Sequence, residues 1–411
     1  MRFAAVIAGV GMTRFGKRLD DGLKAIGAEA VRAALADAGL EPRDLQAAFV
    51  GNAAAGLVTG QESIRGQVIL RGLGIGGIPV VNVENACASA ATALHQACAM
   101  VSAGYYEVVL ALGVEKLYHP DKRKSFAAFS GAVDVEMMTA LLAALERDAT
   151  RAGAAAASGG GAGEKRSMFM DIYAAAARSH MERYGTTAAQ FAAVTAKNSV
   201  HGSLNPRAQF REVLSVADVL AAPMVAEPLT RPMCSPIGDG AAAVIVMSER
   251  RARRAAAAPA VRVVSSVLRS GWDHGPDEPG TVDVCAREAY EEAGLGPRDL
   301  DVVECHDASA PAELMIYESL GLCGRGEGGA FVDSGAPRLG GRLPVNPSGG
   351  LLRKGHPVGA TGIAQIVELT EQLQGRAGAR QVAGAKVGLA QNGGGAIGTD
   401  AAAMCVTVLA R

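Results

Sequence analysis

The chain has 411 residues, 49% hydrophobic and 20% charged, so a folded protein with a large apolar core is expected. Its 40 Lys and Arg residues balance 41 Asp and Glu residues, and the net charge of −1 provides no general attraction to nucleic acid or to an anionic membrane. No apolar run reaches the roughly 18–20 residues of a membrane-spanning helix, and the first residues contain no long signal-peptide core. We therefore expect a cytoplasmic protein without nucleic-acid or membrane partners.

Short apolar runs alternate with alanine-rich helical stretches in the first part of the chain. This alternation is typical of an α/β fold. The predicted strands span 3–7, 47–50, 80–83 and 108–112, and the predicted helices span 22–38 and 88–104.

A repeated sequence indicates that the chain consists of two related halves. Residues 38–45 read AGLEPRDL and residues 293–300 read AGLGPRDL, so seven of eight positions are identical. Farther along each half, Cys87-Ala-Ser-Ala-Ala-Thr and His356-Pro-Val-Gly-Ala-Thr stand at the start of a predicted helix. Two matches in the same order predict a duplicated fold in which these two helices correspond.

The segment between the halves differs from both of them. We predict a first half over 1–116 that resumes over 236–258, an inserted loop domain over 117–235, and a second half over 259–411. The insertion contains a low-complexity Gly/Ala stretch at 153–163. Because long insertions often cover an active site, we expect this stretch to be mobile or to lie over the substrate entrance.

The seven cysteines are scattered, and no two of them form a CxxC pair. This pattern argues against a disulfide framework and against a cysteine-rich zinc site, so no metal is predicted. Cys87 differs from the others because it lies at a strand-to-helix junction with small neighbours. A thiol at a helix N-terminus faces free N–H groups, so we expect a lowered pKa and a reactive thiolate. A buried packing cysteine is the alternative, and it is the preferred interpretation for Cys98.

Two histidines stand at comparable junctions. His356 lies between glycines at the equivalent helix start of the second half, and His306 follows a predicted strand. Ligands of α/β sheets bind beyond the carboxyl ends of the strands, so these side chains are expected to share a site with the thiol. A cysteine paired with a histidine is a nucleophile with its base. Helix capping by His356 and backbone bonding by His306 are the alternatives, and Cys305 is expected to pack on the opposite face of its strand.

Together these segments resemble the thiolase superfamily, most closely its sterol-carrier-type and archaeal members. The resemblance runs along essentially the whole chain and implies two similar halves in a five-layer αβαβα arrangement with an inserted loop domain. It is carried by Asn85-Ala-Cys-Ala-Ser89, Pro236-Ile-Gly-Asp-Gly-Ala-Ala242, Glu304-Cys-His-Asp307, Asn346-Pro-Ser-Gly-Gly350, Gly355-His-Pro-Val-Gly-Ala-Thr-Gly362 and Asn392-Gly-Gly-Gly395.

The resemblance also implies a role for individual residues. Cys87 matches the nucleophile that becomes acylated, and His356 matches the base that activates it. His306 matches the residue whose N–H holds the thioester oxygen of the second substrate. The backbone N–H groups of Cys87 and Gly393 match a second oxyanion hole, which the glycine-rich turn would suit because its amides are free to face an anion.

Ser235 and Asn392 match positions that contact the substrate and coenzyme A. The resemblance implies coenzyme A as a substrate rather than as a permanently bound cofactor. It also implies a homodimer or a dimer of dimers. An OB-fold/zinc-ribbon partner subunit accompanies some relatives and is a further candidate partner.

This chain differs from the family at the residue that acts as the acid in the reaction. Ordinary thiolases carry a second cysteine where this chain has Gln391, and sterol-carrier-type relatives can carry one where it has Ala308. His306, a water or the substrate itself would then supply the proton, or a relocated thiol such as Cys305 or Cys323. Ser309, at a position where relatives often have Phe, is expected to leave room for a large acyl group.

The expected function is thiolytic, coenzyme A-dependent cleavage of a bulky or aromatic 3-oxoacyl-CoA through an acyl-cysteine intermediate. One alternative is a thiolase-fold retro-aldol lyase or Claisen-condensing enzyme that acts with an OB-fold/zinc-ribbon partner. Another is a non-catalytic scaffold subunit. A scaffold needs none of Cys87, His306 and His356, and retro-aldol cleavage needs no acyl-cysteine, so the first interpretation is preferred.

Overall fold

A computed structural model describes residues 3–137, 167–254, 260–275, 277–398 and 400–411. The Gly/Ala stretch at 153–163 lies outside these residues. The described strands are Ala5–Met12 (β1), Ala47–Gly51 (β2), Val80–Val83 (β3), Val108–Glu115 (β4), Met224–Ala226 (β5), Leu229–Thr230 (β6), Gly240–Ser248 (β7), Val261–Ser270 (β8), Val302–Glu304 (β9), Val387–Gly394 (β10) and Ala403–Ala410 (β11).

The α-helices fall between these strands and also fill most of the described part of the segment between β4 and β5. They are Leu23–Ala38 (α1), Ala55–Thr59 (α2), Arg65–Arg71 (α3), Ser89–Ser102 (α4), Lys122–Ser130 (α5), Met168–Tyr184 (α6), Ala188–Ser203 (α7), Val216–Ala221 (α8), Glu249–Arg254 (α9), Thr281–Ala293 (α10), Ala310–Ser319 (α11), Gly328–Asp333 (α12), Gly350–Lys354 (α13) and Thr361–Leu373 (α14). Within the described ranges, none of these helices has the length and apolar character needed to cross a membrane.

Nine of the described strands form one sheet in the order β3-β2-β4-β7-β1-β8-β11-β10-β9. The order β2-β4-β7-β1 of the first half is repeated as β9-β10-β11-β8 in the second. The halves join where β1 and β8 run antiparallel, through only three residue pairs between Ala5–Ile7 and 261–263. The sheet is mixed, because β2 is parallel to β3 and β4 and β9 is parallel to β10, whereas the remaining pairs are antiparallel.

The repeated octapeptide folds in the same way in both halves, which confirms the duplication. α1 ends at the left-handed residue Gly39 with φ 64°, and α10 ends at Gly294 with φ 67°. Glycine adopts this conformation without a steric penalty. In each repeat the Pro-Arg-Asp sequence then forms a 3-10 turn, at Pro42–Asp44 and at Pro297–Asp299, which leads into β2 or β9.

Two helices form a layer between the two halves of the sheet. α4 and α14 contact each other, and each contacts strands of both halves. Twelve of the thirteen residues of α14 are buried, as expected of a helix that is enclosed on all sides. Separate apolar cores lie under α1 on the outer face of the first half and under α10 and α11 on the outer face of the second. These layers confirm the predicted αβαβα arrangement.

The interface between β1 and α1 is held together by a close approach of two backbones. A Cβ atom at Gly11 would lie 2.3 Å from the carbonyl oxygen of Ala30, and one at Gly9 would lie 2.5 Å from that of Ala34. Only a hydrogen atom fits at either position.

Gly11→Ala is therefore expected to destabilise the fold by about 1–3 kcal/mol, the usual cost of adding a methyl group to a closely packed interior. Gly76→Ala is the matched control, because a Cβ atom there would meet no atom within 4 Å. Urea denaturation of both variants measures the difference. Equal stability of the two variants would contradict the close approach.

Candidate active site

The first element of the site is the turn that carries Cys87. A 3-10 turn over Ala86–Ala88 joins β3 to α4 and holds the thiol at its centre. Ala86, just before Cys87, has φ 46°, in the left-handed region that residues other than glycine seldom adopt. Its backbone N–H donates to Glu84 Oε1 at 2.6 Å, which helps to hold this conformation. Backbone strain of this kind is concentrated at functional sites.

The glycine run at the end of β10 lies directly against this turn. A Cβ atom at Gly394 would lie 2.2 Å from the carbonyl oxygen of Asn85, so only glycine fits. Gly393 lines the same cavity as Cys87. The backbone N–H groups of Gly395 and of Cys87 itself donate to the Cys87 sulfur. Sequence reasoning identified the run but did not single out Gly395.

The three predicted side chains meet at one point. The Cys87 sulfur and the ring nitrogens of His306 and His356 include atoms that all lie within 4.8 Å of one another. The two imidazole rings meet edge to face with their centroids 5.1 Å apart. Junctions at the carboxyl ends of strands in both halves thus form a single site, as the repeat predicts.

Hydrogen bonds determine which nitrogen of His356 carries the proton. The Thr361 hydroxyl donates to the carbonyl oxygen of Pro357 at 3.1 Å, so it accepts from Nδ1 of His356 at 2.8 Å. Nε2 of His356 therefore has a free lone pair. Burial, assisted by the nearby His306, lowers the pKa of His356 well below 6.5. The ring is neutral near pH 7 and is able to accept a proton.

His306 has the opposite tautomer. Asn392 Nδ2 donates to Nδ1 of His306 at 2.9 Å, which leaves the ring proton on Nε2. Burial lowers the pKa of His306 to about 4, so this ring is also neutral. The site thus pairs one imidazole that accepts a proton with another that donates a hydrogen bond.

The same three side chains are of a type that could bind a metal ion. A histidine that ligates a metal through Nε2 carries its proton on Nδ1, which is the atom that accepts from Asn392. The hydrogen bond therefore favours a donor role for His306 over a ligand role.

Gln391 and Asn392 both support His306. Gln391 Oε1 accepts the backbone N–H of His306 at 2.9 Å, and its amide nitrogen lies 3.1 Å from the sulfur of Met404. Asn392, which is predicted to contact the substrate and coenzyme A, is 1% exposed, and its side chain contacts His306. Its influence on a substrate would pass through the imidazole.

The expected lowering of the Cys87 pKa is wrong. Burial raises the pKa of the Cys87 thiol to about 12, and this effect outweighs the hydrogen bond from Gly395, which acts in the opposite direction. The carboxylates of Glu115 and Glu84 raise the pKa of the thiol further. The thiol is therefore protonated near pH 7, and a base must take its proton as it reacts.

The site opens into a cavity of about 800 Å³ with mainly apolar walls. Ser235, which is predicted to contact the substrate and coenzyme A, lines it. Ser309 does not contribute to the wall, because its hydroxyl caps α11 and accepts the backbone N–H of Ala312 at 3.3 Å. Large side chains from α5, α6 and α11 form much of the surface, namely Phe126, Phe129, Phe169, Met170, Met315 and Ile316.

The remaining cysteines divide clearly between the cavity and the core. Among the described residues that line the cavity, Cys87 and Cys234 are the cysteines. Cys98 is buried in the central core, which confirms its packing interpretation. Cys305 is buried with its sulfur 3.4 Å from Asn346 Nδ2, and neither it nor Cys323 reaches the cavity.

Comparison with known proteins agrees with this architecture over both halves. A family model of the thiolase N-terminal domain matches residues 5–250, and one described as thiolase C-terminal domain-like matches residues 280–408. An acetyl-CoA acetyltransferase of Methanothermobacter thermautotrophicus is 41% identical over 98% of both chains. A benzoylsuccinyl-CoA thiolase subunit of Thauera aromatica is 36% identical over 92% of this chain and 90% of the relative. Sterol carrier protein 2 of Rattus norvegicus is 36% identical over 96% of this chain and 71% of the relative.

Solved structures show the same fold. The Ltp2-ChsH2(DUF35) aldolase superposes with a TM-score of 0.78 at 25% identity, over 98% of this chain and 97% of the other. Human mitochondrial 3-ketoacyl-CoA thiolase superposes with a TM-score of 0.72 at 16% identity, over 99% of this chain and 98% of the other. At that identity the second similarity concerns the fold alone. From the family models, the full-length relatives and the shared fold, the chain belongs to the thiolase family of acyltransferases.

Proposed function

We propose that this protein cleaves a 3-oxoacyl-CoA by thiolysis, with coenzyme A as the acceptor and Cys87 as the carrier of the acyl group. The observation that supports this proposal is that two neutral histidines with different tautomers lie beside one protonated thiol. His356 presents a lone pair and His306 presents an N–H. Acyl transfer through a cysteine requires both functions, whereas a scaffold requires neither.

In the first step, the sulfur of Cys87 attacks the keto carbon while its proton passes to Nε2 of His356. A thiol with a pKa of about 12 needs this assistance, and His356 remains neutral and available at pH 7. We propose that the backbone N–H groups of Cys87 and Gly393 hold the oxygen that becomes negative. Such preorganised donors stabilise an oxyanion more effectively than water does.

In the second step, the carbon–carbon bond breaks and its electron pair moves onto the departing acyl-CoA. The thioester oxygen of that group then carries enolate charge, and the Nε2 proton of His306 is the donor we assign to it. The hydrogen bond from Asn392 to Nδ1 favours the tautomer with the ring proton on Nε2. Coenzyme A then removes the acyl group from Cys87, and Ser235, on the cavity wall, is proposed to contact the pantetheine arm.

The cavity supports a bulky or aromatic acyl chain as the substrate. Its aromatic and methionine side chains offer an apolar surface far larger than an acetyl group would cover. The similarity to a benzoylsuccinyl-CoA thiolase subunit agrees with this size class.

A retro-aldol lyase is the second candidate, because the Ltp2-ChsH2(DUF35) aldolase shares the fold and is named with a partner. Cys87 with a neutral base beside it favours acyl transfer, since retro-aldol cleavage forms no acyl-cysteine. We propose a homodimer or a dimer of dimers, on the family resemblance, and keep an OB-fold/zinc-ribbon subunit as a candidate partner.

The covalent step is tested by Cys87→Ser. Mass spectrometry of the wild-type protein after incubation with a panel of acyl-CoAs should show an acyl group on Cys87. Cys87→Ser should keep its fold and lose thiolysis, because a serine hydroxyl is far harder to deprotonate than a thiol. Cys323→Ser, outside the cavity, is the matched control and should retain activity. Full turnover by Cys87→Ser would overturn the covalent mechanism.

The pH dependence reports on the two histidines. A lowered pKa keeps each ring neutral until the pH falls through that lowered value, so kcat/KM should hold as the pH passes through 6.5. It should decline only as the pH falls through the lowered pKa of His356, because protonation of that ring removes the base that takes the proton of Cys87, whereas a protonated His306 keeps its Nε2–H. Circular dichroism at each pH separates this decline from unfolding. An acid limb centred near 6.5 would show that burial does not lower the pKa of His356 as described.

Substrate size is tested by comparing acetoacetyl-CoA with an aromatic 3-oxoacyl-CoA. Filling the apolar cavity should raise kcat/KM for the larger substrate by at least about tenfold, because each missing methylene in such a pocket costs about 1–3 kcal/mol. Equal kcat/KM values would mean that the cavity does not select for size.

A further inference from the structure

The proposed cleavage leaves an enolate whose α-carbon must receive a proton. Gln391 and Ala308 stand where relatives carry acid cysteines, and the amide of Gln391 is occupied by His306 and Met404. Neither position can therefore supply the proton, which leaves His306, a water, the substrate or another group on the cavity wall as the acid. This inference rests on the proposed function.

The carboxylates on the described part of the cavity wall are poorly placed for this task. Glu62 and Glu84 are exposed to solvent rather than enclosed with the thiol. The oxygens of Asp400 are occupied by Thr281 and by the backbone N–H of Ala401. Among the described cavity residues, Tyr173 and Cys234 carry a phenol and a thiol, which are more acidic than a serine hydroxyl and have no other role in the proposed reaction.

Tyr173 combines three properties that an acid at this site requires. It projects from α6 into the cavity that holds Cys87, and it lies close enough for a charge on that sulfur to raise the pKa of the phenol. Its hydroxyl makes no hydrogen bond to any residue within the described ranges. Burial raises the phenol pKa above its usual 10, so the proton stays on the oxygen until a strong base arrives.

Two buried tyrosines differ from the half-buried Tyr173, because each has a partner for its hydroxyl. Tyr290 donates to the carbonyl oxygen of Leu320 at 2.9 Å, and Tyr317 donates to Glu313. A buried tyrosine hydroxyl normally finds such a partner. Within the described ranges the Tyr173 hydroxyl has no such partner, so it is available to a molecule that enters the cavity.

We propose that Tyr173 is the acid that protonates the α-carbon of the departing acyl-CoA. The electron pair of the broken carbon–carbon bond takes the phenolic proton and forms a new carbon–hydrogen bond, which leaves a phenolate. When coenzyme A attacks the acyl group on Cys87, its thiol proton passes to that phenolate. The expelled Cys87 thiolate recovers its own proton from His356, so both residues return to their starting states.

Cys234 is the alternative acid, and its contacts make it the weaker one. Its thiol donates to the carbonyl oxygen of Thr230, with the sulfur 3.6 Å from that oxygen. Burial alone accounts for the raised pKa of this thiol, and no interaction with Cys87 contributes to it. Cys234 lies across a β-bridge from Ser309, next to the position where relatives carry an acid cysteine, so it belongs in the test.

The test separates carbon protonation from acyl transfer. Wild type, Tyr173→Phe, Cys234→Ala and the control Tyr290→Phe are each incubated with a short acyl-CoA in D₂O. Acylation of Cys87 is followed by intact mass, and exchange of the α-hydrogens of the acyl-CoA is followed by NMR. Tyr173→Phe should slow the exchange by about 10²–10⁴-fold, the usual contribution of a general acid or base. Its acylation should stay within a few-fold of wild type, because a coenzyme A thiolate departs without needing a proton. Tyr290→Phe and Cys234→Ala should match wild type in both measurements.

Each other outcome has a definite meaning. If Tyr173→Phe still exchanges the α-hydrogens at the wild-type rate, Tyr173 is not the acid. If Cys234→Ala loses this exchange instead, the Cys234 thiol is the acid. Loss of both acylation and exchange in Tyr173→Phe would show a binding or structural role, which also overturns the assignment. Absence of Cys87 acylation in the wild type with every acyl-CoA tested, bulky and aromatic chains included, would reject the proposed function itself.

Discussion

Backbone-to-backbone contact in the middle layer is the constraint on which the rest of the structure depends. A Cβ atom at Gly113 in β4 would lie 2.8 Å from the carbonyl oxygen of Gly359, just before α14. One at Gly362 in α14 would lie 2.7 Å from the backbone nitrogen of Ala91 in α4. These positions let the starts of α4 and α14 approach closer than side chains would allow. The thiol and the imidazole meet because the helices that follow them are pressed together.

A buried carboxylate links the two histidine-bearing segments. Asp307, next to His306, accepts the backbone N–H groups of Leu351 at 2.6 Å and Leu352 at 3.3 Å, in the short helix that leads to His356. Burial and the neighbouring Glu313 raise the pKa of Asp307 well above its usual value. The relative placement of the two rings is therefore set by a polar contact outside the cavity, in addition to the packing of the middle layer.

Local signals in the sequence predicted the elements, the duplication and the three side chains that meet. The octapeptide repeat, Gly39 as a helix end and the Cys87 and His356 junctions all depend on a few neighbouring residues. The pKa of Cys87 was predicted wrongly because burial depends on distant parts of the chain, whereas the helix-terminal effect is visible locally. The roles of Asn392 and Gly395 also escaped prediction, because the sequence did not show which way each side chain or N–H points. Tyr173 belongs to no motif, since it reaches the cavity from the segment between the halves.

The duplicated halves are obligatory partners rather than independent folding units. α14 has twelve buried residues of thirteen, and it contacts strands of both halves, as does α4. If the halves separated, each would expose one of these helices and the face of the sheet behind it to water. Destabilisation in one half is therefore transmitted to the other, and the chain is expected to unfold as one cooperative body although its sequence repeats. Cys87 comes from the first half and His356 from the second. Both are therefore expected to lose their place in the site at the same unfolding temperature.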